Sequence, residues 1–147
     1  MKTLADLLLA SGRADAVVAD AVRLIERHVG SRAGLRGMGL KTGLTMVKAA
    51  RPGIVERAVR RLLPEFAQAL DPIYQAFRAS ARSDFADFLQ QHSPQATAAL
   101  LAVADRRIGQ ASPIAQSAYA KLRGSAEAEL HAAMPALAEL LARHLQV

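Results

Sequence analysis

At 147 residues the chain has the length of one ordinary domain and can bury a core without disulfide staples. Its 52% hydrophobic against 22% charged residues marks a globular chain, not a disordered one. Cysteine is absent, which excludes disulfides, thiolate catalysis and Cys-based zinc sites, while the net charge of +6 leaves room for an anionic partner.

No segment alternates apolar and polar residues as a half-buried strand would, and the punctuation is that of helices. A short helix is expected over about 3–11, stopped near Gly12. A second spans about 14–29 and ends at Gly30. It carries Val17, Val18, Ala21, Leu24, Ile25 and Val29 on one face and an Asp20–Arg23 pair outside. A third covers about 35–50 and stops before Pro52, because proline disfavours helix in its predecessor. A fourth covers about 53–63, and Pro64 either kinks it or opens another running to about Leu70. Further helices follow at about 72–81, 84–91, 94–108 and 113–123, and the last region, about 125–146, is broken or bent at Pro135. Asp71-Pro72, Ser93-Pro94 and Ser112-Pro113 share one logic: a side-chain oxygen caps free N–H groups, and proline takes the first helical position. Ser83 is a fourth expected cap. Residues 1–147 are therefore expected to form a single all-α domain, a compact multi-helix bundle with short connections punctuated by proline and glycine.

Residues 34–43 read Gly-Leu-Arg-Gly-Met-Gly-Leu-Lys-Thr-Gly. A phosphate-binding loop would need Gly-Lys-Ser/Thr, but Leu40 separates Gly39 from Lys41, and no apolar strand precedes the segment. The dinucleotide pattern fails as well, since Thr42 stands where its third glycine belongs. Placed on a helix, Leu35, Met38, Thr42, Met46 and Ala49 form one stripe and Leu40, Leu44 and Val47 another. Gly39, Gly43 and Ala50 form a small-residue strip between them. A helix apolar nearly all round is expected to be buried, with a neighbour packed close on the glycines. Leucine at Gly39 or Gly43 would then overpack by about 1–3 kcal/mol. The competing reading of this helix is contact with membrane lipid.

The positive charge is local: residues 23–61 carry 10 basic side chains against Glu26 and Glu56. Lys41, Lys48, Arg57, Arg60 and Arg61 are the candidate anion-binding residues, with Glu56 offsetting part of the repulsion within 57–61. A solvated basic face is the plainer explanation. His28, His92, His131 and His144 make no zinc motif, and Glu127–His131 reads as a surface pair. Asp105 reads as an exposed carboxylate paired with its neighbours Arg106 and Arg107. No nucleophile elbow occurs, so no catalytic residue, metal or cofactor is expected, and enzymatic activity has no residue arguing for it.

Val47-Lys-Ala-Ala-Arg-Pro-Gly53, then Arg60-Arg-Leu-Leu-Pro64 with Ala69-Leu-Asp-Pro72, and Tyr119-Ala-Lys-Leu-Arg-Gly124 resemble a family of small bacterial all-helical proteins of unassigned function. The resemblance implies an all-helical fold and carries over no functional residues. Without a secretory signal or a run of about 20 apolar residues, the expected location is the cytoplasm. Three functions remain: a non-enzymatic helical interaction module, self-associating or with a protein partner; an anion binder with nucleic acid as the leading ligand; and a peripheral protein on acidic lipid.

Overall fold

A computed structural model describes residues 3–10, 12–32, 34–50 and 52–145, without the side chains of residues 35, 36, 47 and 50. Among the described residues seven α-helices follow one another: α1 (Leu4–Leu8), α2 (Ala14–Ser31), α3 (Gly34–Ala50), α4 (Ile54–Ala79), α5 (Phe85–Gln91), α6 (Ser93–Arg107) and α7 (Pro113–Leu145). A 3₁₀ turn (Ile108–Gln110) precedes α7. No strand occurs among the described residues, and the helices pack on one another as an all-α bundle with short connections. At about 1.5 Å per residue, the 33 residues of α7 reach some 50 Å. This helix touches α1, α2, α3, α5 and α6 in turn.

Several of the expected breaks do not occur. The segments expected at 53–63, 64–70 and 72–81 are one helix, α4, with Pro64 and Pro72 inside it. A helix-interior proline costs about 3 kcal/mol by itself. Here the buried stripe Leu63, Ala67, Leu70 and Tyr74 runs at helical spacing straight through both prolines, and packing outweighs the lost hydrogen bonds. In the same way α7 continues through Gly124 and Pro135, because Met134, Ala138 and Leu141 lie on one buried line across the proline. Gly30 does not end α2, which runs on to Ser31.

The caps divide similarly. Ser112 caps α7 as expected, accepting from Ala115 N at 3.2 Å. Asp84 rather than Ser83 caps α5, accepting from Asp87 N at 3.2 Å. Ser93 lies inside α6, and its hydroxyl meets His131 Nδ1 at 3.0 Å, so His131 does not form the expected pair with Glu127. Asp71 caps a different helix: Oδ1 accepts from the backbone N of Leu4 at 2.8 Å and from Gln75 Nε2 at 3.2 Å. α1 thus has two caps, since Thr3 and Asp6 also exchange hydrogen bonds of 3.0 Å each. Asp71→Ala should lower stability by about 1 kcal/mol, the usual worth of a lost N-cap, read as a shift in the urea midpoint. No shift would mean that Thr3 alone holds α1.

The core gathers Leu4 and Leu8 of α1, Val17 and Val18 of α2, the α4 stripe, Phe85, Phe88 and Leu89 of α5, Ala96 and Leu100 of α6, and the second half of α7. Four aromatic rings knit α4 to α5: Phe77 sits edge-on to Phe85 and Phe88 at 5.2 and 5.5 Å, and Tyr74 edge-on to Phe85 at 5.6 Å. The helices α2 and α7 run antiparallel and are pinned at two places. At one, His144 Nε2 meets Asp20 Oδ2 at 2.6 Å, and Arg13 donates to the His144 carbonyl at 2.8 Å. At the other, buried Glu129 takes His28 Nε2 at 2.8 Å and Arg32 Nε at 2.9 Å. The expected Asp20–Arg23 pair is also present. No described residue of α3, and none of the first half of α7, belongs to this core.

Candidate functional site

The five candidate anion-binding residues do not converge on one bare cationic surface. Lys48 pairs with Glu26 of α2 at 3.1 Å. Arg60 lies between Asp15 of α2 at 2.6 Å and Glu56 at 3.3 Å, hydrogen bonds that raise its pKa further. Arg57 turns back to the Pro52 carbonyl at 2.9 Å. Arg61 lies near enough to Glu65 to help lower that carboxyl, whose main partner is Arg107 Nε at 2.5 Å. Lys41 alone of the five has no partner among the described residues. Glu26 and Glu56 belong to the charge balance of residues 23–61, whereas Asp15 and Glu65 lie outside that window and are brought to Arg60 and Arg61 by the fold.

The reading of α3 as a buried helix is overturned. Met38 is 65% and Met46 50% exposed, and Gly39 faces open space with nothing near the position of a Cβ. Only one edge of α3, marked by Gly37, Leu40 and Leu44, turns inward, because α2, α4 and α7 pack on one side and none of the described elements covers the other. The small-residue strip survives only at Gly43, where a Cβ would make an ordinary 3.6 Å contact with Leu122. Leu35, Val47 and Ala50, also placed on the expected stripes, have side chains outside the described set.

The uncovered side of α3 and the first half of α7 enclose an apolar groove of about 490 Å³. Gly43, Ala118 and Leu122, half-buried, form its floor. Exposed Met38 and Met46 stand on the α3 side, Ile114 and Lys121 on the α7 side. The three exposed large hydrophobic residues among those described, Met38, Met46 and Ile114, all line it.

A polar cluster sets the rotation of α7 about this groove. Asp105, at the end of α6, receives the Tyr119 hydroxyl at 2.5 Å and a two-pronged contact from Arg123 at 2.9 and 3.0 Å. Asp105 is exposed and paired as expected, but its partners come from α7 and not from Arg106 or Arg107. Arg123, with help from Tyr119, holds the Asp105 carboxyl below its usual range. Burial and the Asp105 contact push the Tyr119 phenol up to about 12, so it stays a proton donor at neutral pH. With Tyr119 and Arg123 held against α6, Ala118, Lys121 and Leu122 are left to the groove.

Among the described residues no group of three or more His, Asp or Glu side chains could hold a metal ion. No helix among them is long and apolar enough to cross a membrane. The signal for the groove was in the sequence, in the stripe of Met38, Thr42 and Met46, but nothing there shows whether a neighbour covers it.

Residues 4–145 match the Family of unknown function (DUF6918). The chain belongs to this family. No curated protein and no solved structure matches it. One stretch that carries the family likeness, Tyr119–Gly124, supplies both partners of Asp105 and two residues of the groove. Another, Val47–Gly53, ends α3 and turns into α4 at Gly53, whose φ of +78° needs a glycine.

Proposed function

We propose that the protein is a non-enzymatic helical interaction module and that the groove between α3 and the first half of α7 is its binding surface. One observation carries this reading: among the described residues, the large apolar side chains left exposed are gathered on one concave face, outside the core. Scattered exposed hydrophobic residues need no explanation, but a contiguous patch marks an interaction surface. Methionine suits it, since an unbranched thioether adapts to different partners. The lining offers Thr42, Ser117 and Lys121 as its polar side chains, too few and too exposed to orient a small substrate for reaction.

An anion-binding role for Lys41, Lys48, Arg57, Arg60 and Arg61 has weaker support, because carboxylates already neutralise Lys48 and Arg60. A neutral amphipathic peptide helix with leucines at i, i+3, i+4 and i+7 tests the docking reading. With ¹³C-labelled methionine methyls, the peptide should shift the Met38 and Met46 signals and leave that of buried Met134 in place. Shifts at none of the three would sink the reading.

A further inference from the structure

In the sequence Arg106 and Arg107 read as partners of their neighbour Asp105, and the fold releases them. Asp105 is taken by Tyr119 and Arg123 of α7. Arg107 crosses instead to α4, where its Nε meets Glu65 Oε2 at 2.5 Å, and its Nη1 donates to Gln110. Arg61 stands one helical turn before Glu65 on α4, and Arg106 precedes Arg107 in the last turn of α6. Both lie near enough to help Arg107 hold the Glu65 carboxyl below its ordinary range. Three guanidiniums from two helices thus share one carboxylate.

The sharing is unequal. Arg107 has the direct contact, while exposed Arg61 and Arg106 reach ion-pair distance of neither Glu65 nor any other described carboxylate. The carbonyl end of α6 attracts Arg106 and Arg107, but a helix terminus carries only about half a charge. Positive charge is therefore left over at Arg61 and Arg106, open to solvent. The excess is a point and not a track. Along α4, Arg57 turns to the Pro52 carbonyl and Arg60 is held between Asp15 and Glu56. No row of open cations follows that would match the repeating charges of a nucleic-acid strand. Guanidinium forks fit the oxygens of a phosphate group, and two of them balance a dianion.

We propose that Arg61 of α4 and Arg106 of α6 form a binding site for a compact dianionic phosphate group, a phosphate monoester in chemical class, beside the Arg107–Glu65 pair that joins the two helices. The site goes beyond the docking reading and does not rest on it, since neither arginine belongs to the groove.

Arginine Nε–Hε signals of the ¹⁵N-labelled full chain test this, titrated with sodium phosphate and with sodium chloride at equal ionic strength, at a pH where phosphate is mostly dianionic. Arg61 and Arg106 should shift along a saturating curve with phosphate and not with chloride, while Arg57 and Arg60 stay in place. The double variant Arg61→Gln, Arg106→Gln should weaken phosphate about tenfold and leave the thermal midpoint unchanged, because both side chains are exposed. Glu65→Gln should tighten it, since it removes the competing carboxylate and frees Arg107. Vesicles of phosphatidylcholine with phosphatidic acid, whose headgroup carries the same dianion, separate the sources: broadening of the two signals would keep the chemistry and place it on a lipid. A single-stranded oligonucleotide binding more tightly than phosphate, with a steep loss in salt, would overturn the compact site in favour of a nucleic-acid backbone. Equal shifts with chloride, or a double variant that binds as wild type does, would overturn the site altogether.

Discussion

Glu129→Gln should cost about 3 kcal/mol of folding stability at neutral pH, although it changes one atom of a largely buried polar cluster. The substitution removes the charge that faces Arg32 at 2.9 Å and His28 at 2.8 Å across the contact of α2 with α7. Removing one member of a buried pair costs about 3–5 kcal/mol, because the other is left buried without its counter-charge. The lower end applies here, since Arg32 keeps 32% of its side chain exposed. The effect should depend on pH. Burial alone would push the Glu129 carboxyl up, but the His28 hydrogen bond and the Arg32 charge outweigh it and hold the carboxyl below its ordinary range. A carboxylate with a depressed folded pKa contributes stability that is fully present above its unfolded value, about 4.3, and lost as pH falls through the folded value. The gap between wild type and Glu129→Gln, read from urea unfolding at a series of pH values, should therefore be widest near neutrality and shrink in acid. A gap independent of pH would assign the cost to packing instead.

Two glycines of α3, two residues apart, should respond to alanine with opposite signs. A Cβ at Gly37 would lie 2.6 Å from the backbone C and O of Arg32, atoms that cannot swing aside. Gly37→Ala should destabilise by about 1–3 kcal/mol through overpacking. A Cβ at Gly39 meets nothing, and alanine is the better helix former, so Gly39→Ala should gain up to about 1 kcal/mol. Thermal unfolding of the two variants side by side checks both signs. A destabilised Gly39→Ala would restore the buried-helix reading, in which the glycines are contact points for a neighbour.

The helices themselves were legible because their apolar residues recur at helical spacing. Val17 and Val18 in α2, and Leu63 in α4, are buried as the periodicity demands. Proline misled where it sat on a strongly buried stripe: Pro64 and Pro72 break a helix only if nothing beyond them has a core to join. Asp71 and Ser93 misled differently. A polar oxygen next to proline looks like a local cap, but Asp71 serves Leu4 and Ser93 meets His131, partners 67 and 38 residues away. Such pairings are set by tertiary packing and leave no mark in the local sequence. The same holds for Arg60, whose Asp15 partner is 45 residues distant, and for Asp105, which reaches past its neighbours to Arg123. For α3 the sequence showed apolar residues on most sides, and burial in this chain and burial in a partner leave the same pattern.

The docking reading depends on the stripe of α3 being open, and methionine oxidation tests this most directly. Met38 and Met46 line the groove at 65% and 50% exposure, while Met134 is buried at 1%. Oxidation by dilute peroxide follows access to the sulfur. Timed exposure of the folded protein, followed by peptide mass spectrometry, should show Met38 and Met46 converting to sulfoxide early and at similar rates, with Met134 protected until the protein unfolds. Protection of Met38 and Met46 to the level of Met134 in dilute protein would mean that α3 lies inside the bundle, and would contradict the groove.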